Sequence, residues 1–172
     1  ELRIEPGVTV EFAPSPFEFD NYFIKVDGTL NAQGAPWNPI RFTAQDPTRP
    51  WGTIAFAETS TGWDPQSDRG SVIRNSIIEY GSNYNALNHE TAVYLGGSSI
   101  LLENNVIRYS VRHDAIEVET GIGGAPTIQG NFVYENRDRG ILVNLGGVGT
   151  LNIRDNVFQD NGQALYVSAN AY

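Results

Sequence analysis

The chain has 172 residues, 40% of them hydrophobic and 18% charged, a composition that supports one folded domain of ordinary size and excludes a disordered tail. Its formal net charge of −9, with 11 scattered Lys and Arg, excludes nucleic acid and an anionic membrane surface as partners, because binding phosphates needs clustered basic residues. No apolar stretch is long enough for membrane insertion, and with neither Cys nor Met the chain offers no disulfide and no oxidisable sulfur, which suits an extracellular or cell-surface setting.

The first third reads as short strands separated by turn punctuation. Ile4-Glu5-Pro6-Gly7-Val8-Thr9-Val10 and Val26-Asp27-Gly28-Thr29-Leu30-Asn31-Ala32 superpose at an offset of 22, with Pro-Gly and Asp-Gly at the turns. Pro39 to Thr43 and Trp51 to Phe56 are two more alternating strands. Val72-Ile73-Arg74-Asn75-Ser76-Ile77-Ile78 then opens a second dialect, apolar-x-x-Asn-x-apolar, with Ser76 in the Asn position. Ala92 to Leu95 completes that unit after an insertion from Ser82 to Glu90.

The same unit recurs three times in the C-terminal half. Asn105, Asn131 and Asn156 are 26 and 25 residues apart, and Ser110, Asn136 and Asn161 follow each of them at five positions. Ala115-Ile116-Glu117-Val118, Gly140-Ile141-Leu142-Val143 and Ala164-Leu165-Tyr166-Val167 supply the period-2 mark of a half-buried strand. No helix fits anywhere. A coil of about 22 to 29 residues with two or three such strands cannot bury its own apolar side and must stack on its neighbours about 4.8 Å away. The pattern predicts an all-β, single-stranded parallel β-helix of roughly seven coils. It predicts one domain over 1–172, with opening coils and longer loops over 1–60 and asparagine-ladder repeats over 71–172. In register, Leu102, Ile128 and Ile153 share a column, as do Ile116 with Ile141 and Val118 with Val143, and the asparagines form ladders at bent turns where Asn tolerates left-handed geometry.

Leu2-x-Ile4-x-Pro6-Gly7-Val8-x-Val10-x-Phe12, Ile24-x-Val26-x-Gly28-x-Leu30-x-Ala32-x-Gly34, Pro39-Ile40-x-Phe42-Thr43 and Trp51-Gly52-x-Ile54-x-Phe56 resemble the opening of right-handed parallel β-helix proteins. The later Asn units are similar to the repeat of pectate-lyase-like folds and of large secreted or cell-surface proteins. The resemblance covers nearly the whole chain and implies the fold, but this scaffold carries lyases, hydrolases, adhesins and wall proteins alike.

Register also places chemistry. Glu90, His113 and Asp138 fall in one row, Thr91, Asp114, Arg139 and Gln163 in the next, and Tyr94, Glu117, Leu142 and Tyr166 on the outer face of the following strand. Asp114, Glu117, His113 and Arg139 are the candidate catalytic residues: two carboxylates for a glycoside hydrolase, or an arginine base for a polysaccharide lyase. Opposite charges on adjacent coils serve equally well as cross-strand pairs on a solvated turn. The aromatics Phe17, Phe19, Tyr22, Trp63, Tyr84 and Tyr94 are candidate binding or interface residues, since loops on a rigid scaffold concentrate recognition. No His-rich metal site, phosphate loop or nucleophile elbow is present, and no cofactor is expected; calcium on Asp20 and Asn21, or on Asp155 and Asn156, is a lesser alternative. The chain starts inside a strand pattern and stops just after one, without a capping helix, so it is expected to be a piece of a longer β-helix, to pair with other copies, or to be capped by the side chains of its terminal coils. The leading expectation is a non-catalytic extracellular structural or adhesive solenoid of a surface, sheath or fibre protein, self-assembling into filaments or abutting neighbouring β-helix segments. The alternatives are a polysaccharide-active enzyme and a carbohydrate-binding module.

Overall fold

A computed structural model describes residues 1–17, 19–120, 124–146 and 150–169. Alternation of apolar and polar residues, interrupted every few positions by Gly, Asn, Asp or Pro, yields only strands three to seven residues long. They are β1 (Leu2–Ile4), β2 (Thr9–Phe12), β3 (Ile24–Val26), β4 (Leu30–Gln33), β5 (Ile40–Ala44), β6 (Ile54–Phe56), β7 (Val72–Arg74), β8 (Ser76–Glu79) and β9 (Val93–Gly96). The second half adds β10 (Leu101–Glu103), β11 (Val106–Arg108), β12 (Ile116–Thr120), β13 (Thr127–Gln129), β14 (Phe132–Tyr134), β15 (Arg139–Leu145), β16 (Asn152–Arg154), β17 (Val157–Gln159) and β18 (Gln163–Ala169).

Every third strand joins the same sheet. The first sheet is β1-β4-β7-β10-β13-β16, the second runs from β2 to β17 and the third from β3 to β18, all parallel and six strands wide. The chain is thus a parallel β-solenoid of six coils with three strands each, one coil fewer than the repeat suggests. The difference comes from the opening third. Leu2 pairs with Leu30 and Thr9 with Arg41, so β1-turn-β2 lies beside β4 and β5 and not beside β3-turn-β4, as the offset of 22 required. Each corner of a coil has the same strand-turn-strand pattern, so sequence similarity alone superposed two different corners.

In the Asn repeats the register is as the spacing predicts, with Leu102 on Ile128, Ile128 on Ile153, Ile116 on Ile141 and Val118 on Val143. Inward columns such as Phe42, Ile78, Ile107 and Val133 are shielded from solvent and form one continuous core. Phe12 of the first coil stacks on Trp51, ring centroids 4.2 Å apart, and the Trp51 indole donates to the carbonyl of Glu79.

Two asparagine columns hold the corners. Asn131 Nδ2 donates to the Leu102 carbonyl and to Asn156 Oδ1 (2.9 Å), while its own Oδ1 accepts from the backbone N–H and the Nδ2 of Asn105. Asn105 Oδ1 accepts from the N–H of Ser76, so serine ends that column. At the next corner Asn136 serves Ser110 in the same way and is served by Asn161. The left-handed residue is the one before each rung: Asn75, Asn104, Gly130 and Asp155 at the first corner and Tyr109, Glu135 and Asp160 at the second have positive φ. The rungs are required for their amides, and the preceding positions absorb the bend.

Candidate functional site

The outer faces differ in how their polar side chains are spent. On the first sheet Gln33, Arg74, Glu103, Gln129 and Arg154 bond in succession: Arg74 to Gln33 and Glu103, Gln129 to Glu103, Arg154 to Gln129. On the second sheet Glu79, its side chain 3% exposed, lies between Arg41 (2.6 Å) and Arg108 (2.7 Å) and accepts from Thr43. Tyr80, Tyr109 and Tyr134 continue that flank as a run of ring contacts, with Arg108 over two of them.

The corner before the third sheet gathers the expected charged rows. Asp114, almost fully buried, holds Arg139 Nε at 3.1 Å, and Arg139 also reaches Asp138 at 3.1 Å. His113 Nε2 lies 3.2 Å from Glu90, with Nδ1 3.9 Å from Asp138. Burial pushes the Asp114 carboxyl above the ordinary range despite Arg139. Glu117 projects from the neighbouring strand in the row Tyr94, Glu117, Leu142, Tyr166. Its carboxyl is raised to about 7, first by burial and then by the like charges of Asp114 and Glu119, with Arg139 opposing.

Two positions along β12, a parallel row runs Gly96, Glu119, Asn144, Ser168. Here a cavity of about 480 Å³ opens over the sheet, bordered by Glu58 and His89 from the loops after β6 and β8 and by Tyr94, Gly96, Glu119 and Asn144 from the strands. The Tyr94 hydroxyl donates to Glu119, and the His89 ring covers the Tyr94 ring at 3.5 Å between centroids. Burial, reinforced by Glu119, raises the Tyr94 phenol far above its ordinary value, and burial lowers the His89 imidazole. Asn144 Nδ2 donates to Glu117 Oε1 at 3.2 Å, tying the two rows together. Gly96 makes room for the Tyr94 ring, since a Cβ there would lie 2.8 Å from that ring and 2.9 Å from the Phe56 carbonyl. Glu119 was legible as the residue two positions after Glu117 on one strand, hence on the same face; His89 and Glu58 come from loops whose course no periodicity fixes.

The remaining aromatics separate into several places. Phe17 and Phe19 are about two-thirds exposed and Tyr22 half exposed on the loop between β2 and β3. Tyr84 meets Phe19 edge-on and stacks beneath the Arg112 guanidinium at 3.6 Å. Trp63 donates to Asp68 in its own loop. Trp37, 86% exposed in a Pro-flanked bend closed by an Ala35–Asn38 bridge, is the most open large hydrophobic side chain among the described residues, at a position that no repeat marks.

Of the residues considered for calcium, Asn21 is buried with its amide on the Tyr84 carbonyl, and Asn156 Oδ1 already accepts from Asn131. Among the described residues no group of three or more His, Asp or Glu is arranged to hold a metal ion, and no helix is long and apolar enough to cross a membrane.

No curated protein and no solved structure matches the chain. Residues 56–172 match the family model of the right-handed β-helix region, a span that starts at the end of β6 and takes in both asparagine columns. With about two thirds of the sequence inside that match and three parallel sheets wound coil upon coil, the chain belongs to the right-handed β-helix family.

Proposed function

We propose that the protein is a non-catalytic extracellular or cell-surface β-solenoid module that works by adhesion, holding glycan or a neighbouring β-helix segment in a surface, sheath or fibre. The observation that carries this reading is the mutual engagement of the charged rows. An arginine fixed between Asp114 and Asp138 is a poor base for a lyase, and an aspartate buried against that arginine is a poor nucleophile. Exposed Phe17, Phe19, Tyr22 and Trp37 supply rings suited to sugar faces or protein surfaces.

The test is a panel of acidic and neutral polysaccharides scored for both retention and released oligosaccharide, with light scattering for assembly. Retention without release is the expected result, and release of oligosaccharide overturns the non-catalytic reading. A second reading, a glycoside hydrolase, is favoured by one feature only. Glu117, held protonated to about pH 7 beside Glu119, has the form of a proton donor with a partner carboxylate. Under that reading oligosaccharide is released and Glu117→Gln abolishes the release.

A further inference from the structure

The second asparagine column ends on a dipeptide found nowhere else in the chain. Asn161 is followed by Gly162, the one Asn-Gly pair among 172 residues. A side-chain amide is open to attack by the next backbone nitrogen, and a side chain on that next residue hinders the approach; glycine has none. Gly162 is there for a packing reason, since a Cβ at this position would lie 2.8 Å from the Asp138 carbonyl and 3.0 Å from that of Arg137. The fold thus requires the residue that leaves Asn161 least protected.

Two further features bear on Asn161. Its Oδ1 accepts from the backbone N–H of Asn136 at 3.1 Å and from Asn136 Nδ2 at 2.8 Å, so two donors already point at the oxygen that gains negative charge when Cγ is attacked. Asn131 and Asn156 hold the same two donors, but the N–H that follows each is spent: Phe132 donates to the Asn105 carbonyl and Val157 to that of Asn131, both at 2.8 Å. Arg137, after Asn136, likewise donates to the Ser110 carbonyl. The N–H of exposed Gly162 makes no hydrogen bond among the described residues. Asn161 alone among these rungs combines a polarised amide, an unhindered neighbour and a free backbone nitrogen.

We propose that Asn161 is a site of spontaneous deamidation in the folded protein, activated by the hydrogen bonds of its own ladder. The Gly162 nitrogen gives its proton to water and bonds to Cγ of Asn161; the Cγ–Nδ2 bond breaks, and ammonia leaves with a proton from water, giving a cyclic succinimide. Water then opens the ring at either carbonyl to leave aspartate or isoaspartate. In the aspartate product Oδ1 still accepts from Asn136, but the second oxygen faces the Val133 carbonyl, to which Nδ2 had donated at 2.8 Å. Repulsion replaces a hydrogen bond at the corner, and a negative charge appears beside Asp160. Isoaspartate adds a backbone carbon ahead of β18 and disturbs its register on β15. The last coil loosens with age, whatever the solenoid holds.

The test is incubation of the folded protein at mildly alkaline pH beside the same chain unfolded in urea, followed by peptide mass spectrometry and by digestion with Asp-N, which cleaves before aspartate and not before isoaspartate. Trypsin releases the peptide that follows Arg154, and fragmentation separates Asn156 from Asn161. In the folded protein Asn161 is expected to convert about tenfold or more faster than Asn131 or Asn156, and no slower than in urea. Asn136→Ser copies the serine that ends this column at Ser110 and removes one donor from Asn161 Oδ1. It should slow the folded chain about tenfold with unchanged circular dichroism and leave the rate in urea as it was. Asn161→Asp should lower the urea midpoint of the parent. Asn161 intact in the folded protein while it converts in urea, or equal rates at the three rungs, overturns the proposal with no variant needed. A folded rate untouched by Asn136→Ser overturns activation by the ladder, and an Asn161→Asp variant as stable as the parent overturns the loosening.

Discussion

The first and third sheets are built from the same coils, yet their outer faces obey opposite rules. On the first, each polar side chain bonds to the one on the next coil, so the row from Gln33 to Arg154 is a closed chain of donors and acceptors. On the third, Glu119 borders an open cavity and Glu117 lies two positions earlier on the same face, and neither makes an ion pair among the described residues. A solenoid repeats its core through stacking and is free to vary what faces water. Where the outer row is complementary it adds stability, and where it is not, something other than stability keeps it.

Breaking the ordered side should cost most. Asn131→Ala removes a side chain that serves two donors of Asn105, the Leu102 carbonyl and Asn156 Oδ1, all in a buried corner. At about 1 kcal/mol or more for each group left unpaired, the loss should reach about 3 kcal/mol by denaturant unfolding. A loss under about 1 kcal/mol would mean the column is ornamental to the corner. Glu79→Gln comes next. Its carboxylate is nearly sealed, but Arg41 and Arg108 are partly in water, so the penalty falls from the range for fully buried pairs to about 2 kcal/mol. Glu119→Gln, the matching change on the third face, should alter stability by less than about 0.5 kcal/mol, since no ion pair is lost. A penalty equal to that of Glu79 would erase the contrast between the faces.

The Asn periodicity made the later coils readable because amide rungs must recur at one corner, and that fixes which residues stack. It therefore placed His113 beside Glu90 and Asp114 beside Arg139, neighbours that meet in the fold at 3.2 and 3.1 Å. The opening third has no such marker. Its turns use Pro-Gly and Asp-Gly, which suit any corner, and its register was misread for that reason. The cavity was half legible: Tyr94 lies in the register row and Glu119 follows on the same face of β12, whereas the walls from Glu58 and His89 depend on loops between β6 and β7 and between β8 and β9. Burial of Tyr94 under His89 follows from the path of an inserted loop, which alternation along a strand cannot reveal.

The pH dependence of stability separates the faces most directly. Glu117 in the folded chain titrates near 7, above the ordinary carboxylate value of about 4.3 that the unfolded chain would show. Between those two values the folded state keeps a proton that the unfolded state has released, so stability must fall as pH rises from about 4.5 to about 7. After allowance for solvent access to the side chain, that fall is about 1–2 kcal/mol. The groups around Glu117 are Asp114 and Glu119 on its own coil, Tyr94 on β9 and Arg139 on β15. His89, lowered by burial, pulls the other way, because a depressed imidazole adds stability as pH rises through the same region. The difference between the parent and Glu117→Gln isolates the carboxyl. The variant should equal the parent near pH 4.5 and exceed it by about 1 kcal/mol at pH 8 in urea unfolding. A variant that is less stable at pH 8 would mean that Glu117 is matched by a counter-charge after all, and the third face would then obey the rule of the first.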